Sequence, residues 1–290
     1  MRGSAIRHLA ITDDSAVVAA AFFEKRVQIW SWKTKQQLGE FETKLDFGGE
    51  RLALTPDGRI CIAASFHRRL AAYSVPDGRA LWMKTDLGQV QYVTLSASGR
   101  EIYCGIESSS LLIIETETGA TIQKVRGASK VFASQVSPHL LVARKDKFLV
   151  QGANQVEIPA ISFGLISAAF SPDAVCLSEP RTGVRCMDLA SGSLLWHHET
   201  IGANHLVFSP ADNRFYCVGT MNPAQENVSL IRLASSLMDC DSVTAMRQSW
   251  TAAFSPSGAV VVTVDGEVYE TATGGLIALL DFPQRDYPDA

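Results

Sequence analysis

His197, His198 and Glu199 are consecutive residues of types that bind divalent metals or exchange protons. They fall in a stretch that reads as a strand, where successive side chains point to opposite faces. The two imidazoles therefore do not converge on one ion. His8 and His205 occupy equivalent positions of an internal repeat, but in its first and sixth copies, which are not neighbours in a ring of seven. A metal-dependent hydrolase built on such a ring needs several carboxylates or amides converging on its centre, and only Glu50 stands near those positions. The phosphate-binding patterns G-x-x-x-x-G-K-[ST] and G-x-G-x-x-G are absent, as is the nucleophile elbow G-x-S-x-G. Cys61, Cys104, Cys176, Cys186, Cys217 and Cys240 show no C-x-x-C spacing, and several lie in apolar runs such as RICIAAS. They read as buried, reduced thiols rather than as a disulfide framework or a zinc site. No catalytic, metal or cofactor site is expected.

The elements that position these residues come from a repeat. An apolar residue followed by Ser or Thr, usually entering a Pro/Asp/Gly turn, recurs at Thr12, Thr55, Ser96, Ser137, Ser171, Ser209 and Ser255, with spacings of 43, 41, 41, 34, 38 and 46. A second mark follows at Lys35, Gly78, Gly119, Gly192 and Gly274. It lies 23 residues after the first mark in the first three of these, then 21 and 19 after it. Glycine there indicates a turn that needs positive φ. Between the marks lie short runs rich in alanine and β-branched residues, including VVAAAFF, ICIAAS, EIYCGI, LLVAR and AVVVTV, bounded by turn residues. Only residues 234–247 leave room for a helical turn or two.

Seven units of about 40 residues, each holding four strands, predict an all-β fold, a seven-bladed β-propeller of four-stranded antiparallel blades. One domain, 1–290, is expected, with blades at about 1–49, 50–89, 90–128, 129–164, 165–203, 204–249 and 250–290. Contiguous units predict that the ring closes by side-chain packing between blades one and seven, without exchange of a strand. The composition fits: 47 % of residues are hydrophobic and 19 % charged, with a formal charge of −4 and a pI near 5.9. A large core is possible, and the chain as a whole is no electrostatic trap for nucleic acid. The N-terminal stretch has no apolar h-region, and the longest apolar run, 16–23, is too short to span a bilayer, so a cytoplasmic location is expected.

VRCMDLASGSLLW (184–196) and VQIWSWKTKQQLGEF (27–41) resemble the third strand, turn and fourth strand of the WD-repeat propeller family. The Trp-Asp dipeptide of that family becomes Trp30-Ser31, Tyr73-Ser74, Ile114-Glu115, Met187-Asp188 and Tyr269-Glu270, and its Gly-His dipeptide is missing. Outer strands reading GRALW and GSLLW also resemble the G-x-x-x-W pattern of quinoprotein-like propellers, although Trp82 and Trp196 read as blade-to-blade packing residues.

A shared topology makes positions comparable between units. Four residues before the first mark stand His8, Arg51, Tyr92, Ala133, Ser167, His205 and Thr251, with Trp250 adjacent. This ring is expected at the channel entrance. The turns between second and third strands open on the same face and carry Lys25, Arg26, Arg68, Arg69, Arg144, Lys145, Lys147 and Arg181. The turns of the other face carry Asp13, Asp14, Asp57, Asp77, Glu115, Glu117, Asp173, Asp188 and Asp212. Charged turns are solvated by default, but a two-sided disc also suits docking of an acidic protein partner. The leading expectation is a non-enzymatic protein-binding scaffold or adaptor. Its docking residues would be Arg51, Arg68, Arg69, Tyr92, Arg144, Lys145, Lys147, Arg181, His205 and Trp250. A stoichiometric inhibitor or immunity-type protein is the narrower variant, and a lactonase-type or quinoprotein-type enzyme the rival. Neither nucleic acid nor membrane is expected as a partner, since the basic turns lack interleaved aromatics.

Overall fold

The computed structural model describes residues 6–12, 16–22, 25–43, 51–65, 68–107, 110–128, 130–133, 139–144, 146–151, 155–161, 165–221, 228–235, 237–246 and 252–282. Within them the chain forms seven antiparallel sheets of four strands, each taken in chain order. Blade one holds β1 (Ile6–Ile11), β2 (Val17–Phe22), β3 (Arg26–Ser31) and β4 (Gln36–Glu42). Blade two holds β5 (Arg51–Leu54), β6 (Ile60–Ser65), β7 (Arg69–Ser74) and β8 (Ala80–Lys84). Blade three holds β9 (Val90–Leu95), β10 (Glu101–Ile106), β11 (Ser110–Glu115) and β12 (Thr121–Arg126). Blade four holds β13 (Lys130–Ala133), β14 (Leu140–Ala143), β15 (Lys147–Gln151) and β16 (Val156–Pro159). Blade five holds β17 (Ser167–Phe170), β18 (Ala174–Glu179), β19 (Gly183–Asp188) and β20 (Leu194–His198). Blade six holds β21 (Gly202–Ser209), β22 (Arg214–Thr220), β23 (Ser229–Leu233) and β24 (Asp241–Ala245). Blade seven holds β25 (Ala252–Phe254), β26 (Val260–Thr263), β27 (Glu267–Glu270) and β28 (Leu276–Leu279). The stretch with room for a helix contributes one 3-10 turn, Leu237–Asp239, before β24.

The first strand of each blade touches the first strand of the next, and β25 touches β1, so the innermost strands ring a central channel. Burial follows depth in the blade. The second strands β2 and β18 are buried at every residue, because neighbouring blades cover both faces of the sheet. The outermost strand β12 is exposed or half-buried throughout, which is why TIQKVR can carry polar side chains. The core lies in the seams between blades. Ile62, Leu70, Leu95 and Ile102 pack together across the seam between blades two and three. Trp82 of blade two donates to the Thr116 carbonyl of blade three at 2.8 Å.

The ring closes in the same way. Ile6, Leu9 and Ile11 pack on Val260, Val262 and Val268, and Phe282 meets Trp30 edge-on at 5.8 Å. Among the described residues no strand passes from one blade to another.

Both marks of the repeat are turn chemistry. The hydroxyl of Thr12 accepts the Val17 N–H at 3.1 Å, that of Thr55 the Ile60 N–H at 3.0 Å, that of Ser96 the Glu101 N–H at 3.1 Å and that of Ser255 the Val260 N–H at 3.2 Å. Ser171 does the same for Ala174 across a shorter turn at 2.9 Å. Each hydroxyl thus satisfies the first donor of the second strand, a donor that would otherwise be buried unpaired. The second mark sits in the turn between third and fourth strands. Gly78, Gly119, Gly192 and Gly274 have φ of 67, 72, 69 and 69°, and Lys35 in the first copy adopts the same left-handed conformation at 60°.

Candidate functional site

The start of each inner strand lies beside the end of the second strand: Ile6 pairs with Phe22, Arg51 with Ala64, Lys130 with Ala143, Ser167 with Ser178 and Gly202 with Thr220. One end of the channel, the mouth, is therefore framed by the turns between second and third strands. Below it, residues two before six of the marks border the bore. Thr94, Ala169 and Val207 border a cavity of about 270 Å³, and Ala10, Ala53 and Ala253 border another of about 180 Å³.

The structure distributes the sequence-predicted docking residues unevenly. Arg68 and Arg181 are exposed in mouth-end turns, at φ of 68 and 63°. Arg51 is open to solvent, but that solvent is the channel's, and enclosure by its wall lowers the guanidinium pKa. His205 is half-buried and lines the larger cavity. Arg69 is half-buried and already engaged. Arg144 is half-buried, with a buried Nε that has no acceptor. Lys147 bonds both carboxylate oxygens of Glu157, at 2.9 and 2.8 Å, so its charge is largely compensated within blade four. Tyr92 is only 9 % exposed. Gly105 opposite it leaves a slot, since a Cβ there would lie 2.2 Å from the Tyr92 ring. The ring fills that slot and stacks on Phe132 in the seam between blades three and four, at 6.3 Å. It offers no surface to a partner. Lys145 and Trp250 lie outside the described residues, as do Glu50 and Thr251.

The mouth also gathers residues that strand-by-strand reading kept apart. His8 of blade one lies within the electrostatic reach of Arg51 of blade two and His205 of blade six. Burial first, and then Arg51, His205 and Arg7, push the His8 pKa down to about 3. Lys130, which the four-before-the-mark rule misses, is half-buried and donates from Nζ to the Leu165 carbonyl at 2.5 Å. Burial and then Arg51 lower its pKa.

The His8 shift fixes a pH dependence. Its folded pKa lies below the ordinary value, so the unfolded chain takes up the proton first as pH falls. The contribution is whole above pH 6.5 and is lost as pH falls toward 3. Between pH 6.5 and 5, His8 alone should remove on the order of 2 kcal/mol of stability. Urea midpoints measured across this range should fall less steeply in His8→Gln than in the wild type. Parallel curves would contradict the assignment.

The carboxylates of the opposite face have internal work. Asp77 accepts from Ser74 and Glu115 from Thr118, while Asp188 accepts from Ser191 at 2.6 Å and Glu270 from Thr273 at 2.5 Å. These bonds brace the turns between third and fourth strands. The Ser191 hydroxyl and N–H bonds also hold the Asp188 carboxyl below the usual range. His197 and His198 diverge, as neighbours in a strand must. His197 reaches the Thr182 carbonyl at 2.6 Å, and His198 reaches the Ala234 carbonyl of blade six at 2.7 Å. All six cysteines are buried and unbridged.

Seven four-stranded blades around a channel define a seven-bladed β-propeller. Comparison with solved structures gives the same fold. The chain is similar to U3-55K, with a TM-score of 0.71 at 12 % sequence identity over 89 % of this chain and 88 % of that one. It is similar to the RRP9 WD40 repeats, with a TM-score of 0.71 at 12 % identity over 89 % and 86 % of the two chains. The β-propeller domain of Myceliophteria thermophila Cps50 (Swd1) gives 0.69 at 11 % identity over 94 % and 95 %. At such identities the likeness carries the fold alone. No family sequence model matches the chain, and no curated protein matches it in sequence.

Proposed function

We propose that the protein is a non-enzymatic docking module that receives an acidic protein partner on the mouth face of the propeller. The observation that carries this reading is where the chain tolerates backbone strain. At the far end, Gly78, Gly119, Gly192 and Gly274 are left-handed alongside Ala16, Lys35 and Asn213, and at the mouth Gly183 and Gly266 are left-handed too. At the mouth end, Lys25, Arg68 and Arg181 hold φ of 63, 68 and 63°. A long side chain in that conformation costs about 1 kcal/mol relative to glycine. Strain retained at three cations in three different blades points to a use for those cations. With Arg51 they frame the channel, and such a rim would speed encounter and fix orientation more than it would deepen affinity. Similarity to WD40 propellers supports the reading at the level of fold. The reading includes a cytoplasmic setting in which the six thiols stay reduced.

The same strain supplies a clean test. Arg68→Gly with Arg181→Gly removes two rim charges at positions where glycine is the unstrained residue, so the urea midpoint should stay equal or rise slightly. At about 50 mM salt, recovery of acidic proteins on the immobilised variant should fall at least about fivefold. Arg59→Ala with Arg79→Ala, at the far end, should leave recovery unchanged. Equal recovery on the rim variant and the wild type would refute the docking face.

A further inference from the structure

A groove of about 740 Å³ opens between blades two and three on the far face, away from the channel mouth. Every residue of its wall lies among the described ones. The turn between β5 and β6 gives Asp57, the turn between β9 and β10 gives Arg100, and the end of β11 with the turn after it gives Glu115, Thr116 and Glu117. These three turns are tied to one another. Gly99 lies so close to Pro56 that a Cβ there would stand 2.6 Å from the proline Cδ. The Thr116 N–H donates to the Arg100 carbonyl at 2.9 Å, and the Thr116 carbonyl accepts from Trp82 of blade two at 2.8 Å. The groove is formed before anything enters it, so a ligand would not have to order it.

Not all of its charges serve the turns. Glu115 accepts from Thr118, and Asp57 accepts from the Thr55 hydroxyl at 2.6 Å and the Arg59 N–H at 3.1 Å. The Glu117 side chain is exposed and makes no hydrogen bond or ion pair among the described residues. The residues at its place in other blades are Lys33, Pro76, Ala190 and Ala272, so the turn itself needs no carboxylate there. Arg100 is left alone for a related reason. Its counterpart Arg59 lies 3.8 Å from Asp57, two residues earlier, but blade three has Ser98 at that place. Arg100 is exposed and forms no ion pair among the described residues. Thr116, 1 % exposed, adds to the same wall a hydroxyl without a partner.

Three carboxylates against one guanidinium make the groove attractive to cations. The guanidinium then selects among them. It repels a bare polyamine. It does not repel an extended peptide, because Arg100 can donate to a backbone carbonyl while a neighbouring basic side chain meets the carboxylates. We propose that this groove holds a basic segment of a partner protein, with a lysine or arginine side chain against Glu117 and Asp57 and a backbone carbonyl on Arg100. The surface is separate from the mouth and opposite in sign, and it does not rest on the mouth reading. A chain that uses both faces brings an acidic and a basic partner onto one disc.

Calorimetric titration of the intact protein at about 50 mM salt tests the site. The probe is the capped peptide acetyl-Ala-Arg-Ala-Arg-Ala-amide, and the same peptide with glutamates in place of the arginines is the reference. Saturable binding of the basic peptide with Kd below about 1 mM is expected, and none of the acidic one. Glu117→Gln should weaken it at least about fivefold, and Glu117→Lys further. Both change an exposed side chain without partners, so their circular dichroism spectra should match the wild type. Glu199→Gln removes the same charge from an exposed residue just after β20 and should bind as the wild type does. Arg68→Gly with Arg181→Gly should also leave peptide binding unchanged, so that the two faces stand or fail separately. Arg100→Gln should weaken the peptide. Equal or tighter binding by that variant would make the occupant a simple cation and overturn the peptide assignment. Equal losses in Glu117→Gln and Glu199→Gln would reduce the effect to net charge and overturn the site, as would no saturable binding.

Discussion

Arg185→Met should lower the stability of the propeller by about 3–5 kcal/mol. Arg185 and Glu179 are 4 % and 2 % exposed, and Nε meets Oε2 at 2.6 Å. The pair does more than neutralise itself. Arg185 Nη2 donates to the Pro159 carbonyl at 2.6 Å, and the guanidinium lies over the Phe148 ring at 5.7 Å. Glu179 Oε1 accepts the Ile161 N–H at 3.0 Å. Two charged residues of blade five thus hold the end of blade four. Removing the arginine leaves a carboxylate buried without its counter-ion, the costly case. Replacing both, as Arg185→Met with Glu179→Leu, removes the stranded charge. It leaves the Pro159 carbonyl and the Ile161 N–H without these partners, at about 1–3 kcal/mol each if they stay dry. The double variant should therefore be less stable than the wild type and more stable than Arg185→Met. Urea unfolding of the three proteins decides this. A double variant no better than the single one would show that backbone bonding, and not the buried charge, sets the cost.

Gly183→Ala should be at least as damaging, at about 4 kcal/mol or more. Gly183 opens β19 with φ of 83°, and a Cβ there would lie 2.0 Å from the His198 carbonyl oxygen in β20. That neighbour is backbone, held in its own ladder with Val184, and cannot rotate away. Gly127 provides the matched control. Its φ is 78°, yet nothing lies within 4 Å of its missing Cβ. Gly127→Ala should cost only the left-handed penalty, about 1–2 kcal/mol. The difference between the two urea midpoints isolates the steric collision from the dihedral strain. Similar losses in both would mean that β20 yields to the extra methyl.

The fold was legible because propeller turns repeat their chemistry. A hydroxyl closing the first turn and a left-handed residue closing the third recur at nearly fixed spacing, and Lys35, which stands at a glycine position of the repeat, has φ of 60°. The acidic far face was legible as charge, while the bonds its carboxylates make within their own turns were not. Ser74 with Asp77, Glu115 with Thr118, Asp188 with Ser191 and Glu270 with Thr273 are all three residues apart. That spacing was the available sign that these carboxylates serve their own turns. The mouth was harder to read. Whether a ring position shows its side chain to the channel depends on the next strand, and Gly105 draws Tyr92 into a seam while Arg51 stays in the bore. Lys130 reaches the Leu165 carbonyl on the approach to the next blade, a relation that no spacing along the chain encodes.

Because each sheet is finished within its own stretch of chain, the seams are made by side chains, packed on one another or bonded to a neighbouring blade's carbonyls, with no backbone ladder shared among the described residues. Gene duplication or loss can then add or remove a whole unit without splitting a sheet. The curvature of the disc would have to adjust, but no hydrogen-bonded edge would be orphaned. A propeller latched by a borrowed strand lacks that freedom at its latch.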